Sequence, residues 1–361
     1  MIFKDGQMAG FALPKTLDDF TADWMQQALR THAPAARVHA AKPTLVIQGT
    51  GTKMLMEIVA EGGTPDRPLP ASVCVKGAYS PNSEYLMPRG RYINEAVFYK
   101  SLQPELGMRC PQAFFAEFDA SGQSVIVMED LTLRDIHFNL ATETVAVDAV
   151  RSGLRQLAKI HAKWWNGAFL DTIASLGPAL PGGGHEARQR EPATWAKIMT
   201  LPRAAQLPAF ARNVARMGAA LDRLRQSHLT EPFCLLHGDP HIGNTYIDEE
   251  GALGFYDWQT LARGSWAHDV NYLVGSTLSI DDRRHCERDL LQDYLTELHA
   301  LGGPAIALQT AWEDYILHDA YGLFFWTVNP VEMQSEENNI AVAERFAAAA
   351  ADHDCLGALG V

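Results

Sequence analysis

The stretch 233–259, FCLLHGDPHIGNTYIDEEGALGFYDWQ, constrains this chain more than any other. Three short apolar runs alternate there with polar residues, the pattern of short buried strands whose ends carry chemistry. Phe233-Cys234-Leu235-Leu236 suits a strand that delivers His237-Gly238-Asp239 into a loop. Thr245-Tyr246-Ile247 follows Asn244 and runs into the acidic turn Asp248-Glu249-Glu250-Gly251, a hairpin signal. The return run Leu253-Gly254-Phe255-Tyr256 ends at Asp257. Two carboxylates and one carboxamide thus hang from the rims of one compact unit, which can hold a cation and a hydroxyl together.

Phosphoryl transfer uses such a set, because it asks the protein chiefly to position an acceptor hydroxyl and to neutralise phosphate charge with magnesium. Asp239 would accept the hydroxyl proton, and Asn244 and Asp257 would supply hard oxygen ligands to Mg2+. A metal-dependent phosphohydrolase is the rival enzyme, since Asp239-Pro240-His241 sets a carboxylate and an imidazole at alternate positions. That chemistry needs further ligand clusters, and no second group of metal-type histidines and acids follows.

His237-Gly238-Asp239, Asn244 five positions on, and Asp257 heading Asp-Trp-Gln closely resemble the catalytic loop and metal aspartate of the aminoglycoside phosphotransferase superfamily of small-molecule kinases. The ecdysteroid-kinase-like and choline-kinase-like branch is the most similar. The resemblance covers about residues 40–330 and is weakest over the C-terminal third. It implies a two-lobed, protein-kinase-like α+β fold. Residues 1–132 would form a small nucleotide-binding lobe with an antiparallel sheet and one key helix. Residues 133–361 would form a larger, mainly helical lobe holding the catalytic loop and the acceptor.

The order of signals along the chain agrees with that plan. Strand-like runs at 45–47 and 54–59 flank a turn in which Gly49, Thr50, Gly51 and Thr52 would cover the phosphates. A strand at 72–76 ends in Lys76, where a kinase fold needs an ammonium to hold phosphates. Glu95, on a helix predicted over 89–102, shares a face with Tyr92, Ala96 and Tyr99 and would pair with that lysine. A hairpin at 114–118 and 124–128 ends in Glu129-Asp130-Leu131, and the resemblance implies that the main chain near Glu129 and Leu131 binds adenine. The glycine turn is poor in glycine and no Ala-Pro-Glu follows Asp257, which points to a hydroxylated metabolite as acceptor. ATP is the implied donor, with GTP left open. A non-catalytic nucleotide-binding scaffold is the other alternative, but base, lysine and metal acid are all present.

Further on, a helix is predicted over 144–165, with His161 on its buried stripe as a core histidine bonded to backbone. The Gly- and Pro-rich stretch 177–192 reads as a loop or lid, and helical patterning resumes over 194–229. Family position makes Asp269, with His237, a support for the catalytic loop, although Asp269 would also serve as a helix cap. Over 308–326, Leu308, Trp312, Tyr315, Ile316, Asp319 and Leu323 share one stripe. A carboxylate buried there needs a partner. Either an Arg or a backbone donor satisfies Asp319, or Trp312, Tyr315 and Asp319 line the acceptor cleft.

Composition narrows the partners. A net charge of −13 over 361 residues opposes binding to nucleic acid or to an anionic membrane surface. No run approaches the eighteen or so apolar residues of a membrane span. The five cysteines form no CxxC, and Cys74 and Cys234 lie inside apolar runs. They read as buried thiols in a reducing, cytoplasmic setting.

Overall fold

The computed structural model describes residues 12–49, 51–80, 83, 90–173, 175–230 and 232–361. The fold is α+β, with an N-terminal five-stranded antiparallel sheet and a largely helical C-terminal part. The chain divides into two compact units. The first takes the described residues of Met1–Ile136 together with Asp171–Leu176 and Tyr256–Leu261. The second takes His137–Leu170, Gly177–Phe255 and Ala262–Val361, so no single cut in the sequence separates them.

In the first unit, strands β1 (Arg37–Gln48), β2 (Thr52–Glu61), β3 (Ser72–Gly77), β4 (Ala113–Phe118) and β5 (Ser124–Glu129) line up as β1-β2-β3-β5-β4. Alternation along paired strands gives the sheet two unlike faces. Met54, Met56, Val73, Val75, Val125 and Val127 face a core closed by Trp24, Met25, Ala28 and Leu29 of the helix Ala22–Leu29. Thr21 starts that helix as its N-cap, its side chain accepting the Trp24 N–H. Lys76 and its register partners Lys53 and Ile126 belong to the opposite face. The helix Arg91–Val97 carries Glu95 and passes into a π-helical turn, Phe98–Leu102.

The second unit holds the short strands β6 (His137–Phe138), β7 (Cys234–Leu236), β8 (Thr245–Ile247), β9 (Leu253–Phe255) and β10 (Ala262–Gly264). β8 and β9 form the hairpin that the acidic turn predicts. β7 pairs instead with β10, a strand without a signal of its own in the sequence. Helices Val147–Lys163, Trp266–Thr277, Ile280–Ala300, Asp319–Val328 and Glu336–Asp352 supply the core. The helical stretch predicted over 194–229 is broken into Pro192–Ile198, two 3-10 turns and Val214–Thr230; Pro202 and Pro208 interrupt it. Residues 177–192 are not wholly loop either, since Gly184–Gln189 is helical. Among the described residues no helix is long and apolar enough to cross a membrane.

Phe346, fully buried, is seated against two helical glycines. A Cβ built on Gly275 would lie 2.5 Å from its Cε1, and one on Gly322 closer still. Alanine in a helix interior ordinarily gains up to about 1 kcal/mol over glycine. Here overpacking reverses the sign, so Gly322→Ala is expected to destabilise the protein by roughly 1–3 kcal/mol. A urea-unfolding midpoint at or above that of the wild type would contradict this.

Candidate active site

The first unit builds a charged cluster on the face of the sheet that carries Lys76. Lys76 Nζ lies 2.8 Å from Glu95 Oε1 and 2.8 Å from Asp257 Oδ1, although Asp257 is 181 residues away in sequence. All three side chains are largely buried, with Lys76 5% and Glu95 2% exposed. Burial by itself would lower the pKa of the ammonium, but the carboxylates of Asp257 and Glu95 outweigh it and hold Lys76 protonated. Burial raises the Glu95 pKa against the pull of Lys76. A buried ion pair persists when its remaining hydrogen-bonding capacity is met. Glu95 Oε1 accordingly also accepts the Trp258 N–H at 3.2 Å.

Segment 256–261 is fixed around that contact. The Trp258 ring stacks on Phe98 at 3.7 Å and 7°, and Asn94 Nδ2 donates to the Leu261 carbonyl at 3.0 Å. Asp257 itself sits at φ 65°, ψ 64°, a left-handed conformation that is uncommon outside glycine. Such strain persists only where neighbours over-determine it, and it clusters at functional sites. Here the neighbours are the stack and the Lys76 contact.

The glycine turn between β1 and β2 is tied by Gly49 N–H to the Gly51 carbonyl at 3.0 Å and by Thr52 Oγ1 to Gln48 Oε1 at 3.2 Å. Thr50 lies outside the described residues. At the end of β5, the Glu129 N–H donates to the Gln112 carbonyl at 2.8 Å. Leu131 opens a 3-10 turn capped by Asp130.

The loop 237–244 belongs to the second unit and is organised by Asp269. This carboxylate, fully buried, accepts the N–H of His237 at 2.7 Å on Oδ2 and of Gly238 at 3.0 Å on Oδ1. His161 Nε2 stands 3.3 Å from Oδ2, and its Nδ1 meets the Tyr294 hydroxyl at 2.8 Å. Burial would raise the Asp269 pKa, but His161, His268 and His237 reverse the shift and keep the group ionised. The cap of the helix Trp266–Thr277 is Ser265, not Asp269, which spends its oxygens on the loop. His161 likewise departs from expectation: its partners are side chains, not backbone. Gly238 at φ 81° needs glycine, which accounts for the middle residue of His-Gly-Asp.

Beyond Gly238, Asp239 and Asn244 are brought together. Asn244 Nδ2 donates to the Asp239 carbonyl at 2.8 Å and to Oδ2 at 3.2 Å. With its amide nitrogen so used, Asn244 has its oxygen to offer a hard cation. His241, the imidazole of the phosphohydrolase alternative, caps the turn Ile242–Asn244 by accepting the Gly243 N–H on Nδ1 at 3.0 Å. Among the described residues no group of three or more His, Cys, Asp or Glu is placed to hold a metal ion.

The aromatic stripe differs from the single helix expected over 308–326. Two helices, Leu308–Leu317 and Asp319–Val328, meet at His318. Asp319 is 1% exposed, with Oδ1 taking the Asn271 amide at 2.7 Å and Oδ2 facing His353 Nδ1 at 2.6 Å. Its partners are therefore a carboxamide and an imidazole in place of the Arg or backbone donor, and both oxygens are engaged inside the protein. Tyr315 is buried as well. Trp312 alone of the three reaches a cleft, of about 570 Å³, shared with Arg284, Glu287, Arg288, Asp352 and His353.

The chain belongs to the phosphotransferase enzyme family (APH), whose model matches residues 86–304. No curated protein matches it in sequence. Among solved structures it is similar to a microcompartment-associated aminopropanol kinase, at 14% identity over 93% of this chain and 98% of that one, with a TM-score of 0.48. A Plasmodium vivax ethanolamine kinase matches at 9% identity, 84% and 81% coverage and a TM-score of 0.47. Spectinomycin phosphotransferase, in complex with ADP and spectinomycin, matches at 15% identity, 91% and 98% coverage and a TM-score of 0.45.

Two expectations follow. Because Lys76 and Glu95 are one unit, Lys76→Ala should weaken ATP binding measured by calorimetry, and Glu95→Ala should weaken it less. The double variant should then lose less than the sum of the two. Strict additivity would mean that the pair acts as two independent groups. The second concerns His353. Burial lowers its pKa, but Asp319 and Glu287 overcome that and raise it from 6.5 to about 9. A raised folded-state pKa stabilises fully below the unfolded value and is lost as pH rises through the folded one. Stability should therefore fall between about pH 6.5 and 9, and His353→Gln should flatten that slope in urea titrations; an unchanged slope would refute the link.

Proposed function

We propose that the protein transfers the γ-phosphate of ATP to a hydroxyl of a small molecule. The observation that carries this reading is the buried Lys76 ammonium held 2.8 Å from both Glu95 and Asp257. A lysine so fixed is a ready point charge for phosphate oxygens, and Asp257 beside it is a hard ligand. In this reading Lys76, oriented by Glu95, binds phosphate, and the turn around Gly49, Gly51 and Thr52 covers it. Main-chain groups around Glu129 and Leu131 take the base.

Asp239 serves as general base. It receives the proton of the acceptor hydroxyl as that oxygen bonds to Pγ and the bond from Pγ to the bridging oxygen breaks, releasing ADP. Asp257 and Asn244 each offer an oxygen suited to magnesium, which when bound offsets phosphate charge. His237 and Asp269 keep the loop in shape. Asp319 and Tyr315, engaged within the core, are left out of the acceptor site; Trp312 is its remaining candidate on that stripe.

Asp239→Asn is expected to lower turnover by roughly 10²–10⁴-fold while Mg·ATP affinity stays near that of the wild type. Asp257→Ala should instead remove the magnesium dependence of ATP binding. Calorimetry with and without Mg2+, together with ADP release over a panel of hydroxylated metabolites, separates the two. Undiminished turnover in Asp239→Asn would end the assignment of the base.

A further inference from the structure

His241 stands two residues from the proposed base and has no part in the mechanism above. It is 7% exposed, and its ring lies edge-on to Trp326 at 5.2 Å and to Tyr272 at 6.0 Å, so it has little rotational freedom. Its Nδ1 accepts the Gly243 N–H at 3.0 Å as the N-cap of the turn Ile242–Asn244. That bond decides the tautomer: a neutral ring accepting at Nδ1 carries its proton on Nε2. Nε2 is the atom that faces Asp239, 3.8 Å from Oδ2. The same Oδ2 takes the Asn244 amide from within the loop.

We propose that His241 is a positioning residue for Asp239: the Asn244 amide bonds Oδ2, and the Nε2–H of the caged imidazole, 3.8 Å away, adds an electrostatic bias to the orientation of the carboxylate that receives the acceptor's proton. This rests on the reading of Asp239 as base. At 3.8 Å the contact is longer than a hydrogen bond and acts electrostatically. The acceptor's proton goes to Asp239, and His241 keeps its own throughout.

Two substitutions divide the ring's two nitrogens between them. In His241→Asn the side-chain oxygen replaces Nδ1 at the cap, where Asn ranks among the best residues, but nothing reaches Asp239. In His241→Gln the longer amide carries an N–H out to the place of Nε2 and the cap is lost. The assay is ADP release from Mg·ATP with water as the only acceptor, across pH, with thermal unfolding in parallel. Turnover in His241→Asn is expected to fall roughly ten- to a hundred-fold, as misplacement of a reacting group does. ATP affinity and the unfolding midpoint should stay close to wild type. His241→Gln should keep most of the turnover with a lower midpoint.

A wild-type rate in His241→Asn would overturn the proposal. Equal losses in both variants would also overturn it, since they mark a merely structural role. Asp239→Asn run alongside separates the two levels. If it too retains full turnover, the base assignment fails and His241 with it; if it loses turnover while His241→Asn does not, only the role of His241 fails.

Discussion

One buried carboxylate organises the loop that carries His237, Gly238 and Asp239. Asp269 is fully buried and would be costly there without donors. It meets that cost with two consecutive backbone N–H groups, from His237 and Gly238, and the His161 imidazole. Two adjacent amides can converge on one carboxylate only if the chain turns sharply, and Gly238 at φ 81° makes that turn. Asp239 then leaves the loop in a direction set by its neighbours. The helix Trp266–Thr277, which holds Asp269, is itself buried along its whole length, so the loop inherits the rigidity of the core.

The first unit solves a different electrostatic problem. Lys76 lies between two carboxylates that would otherwise repel each other, and its ammonium pairs with both. In the proposed function, phosphate oxygens and a cation would compete for these same partners. The stacking of Trp258 on Phe98 keeps Asp257 within reach in its unfavourable left-handed backbone.

Much of this was legible in the sequence where the information is local. The β8–β9 hairpin follows from its acidic turn, and the strand carrying Lys76 from alternation. The spacing of His237, Gly238, Asp239 and Asn244 made one loop of them, and Asn244 does bond to Asp239. Partners distant in sequence were not legible. His161 and Asp269 are 108 residues apart, and nothing near His161 marks it as other than a core histidine. The pairing of β7 with β10 depends on a three-residue strand too short to carry a pattern. The stripe over 308–326 was right in burying Tyr315, Asp319 and Leu323, while Leu308, Trp312 and Ile316 are only half-buried, and it was wrong in its continuity, because one period fits a helix and its continuation after a break at His318 equally well. Asp319 then found its partners in Asn271 of one helix and His353 at the C-cap of another, which periodicity cannot see.

The seat of Phe346 bears on the order in which the protein can be made. Gly275, on the helix that presents Asp269, and Gly322 open the space that this ring fills. Residues 233–259 leave the ribosome well before residue 346 does, so the loop is synthesised ahead of the side chain that completes the packing beneath it. During that interval the supporting helix lacks its far wall, so the packing beneath the loop closes only once nearly the whole chain has been made.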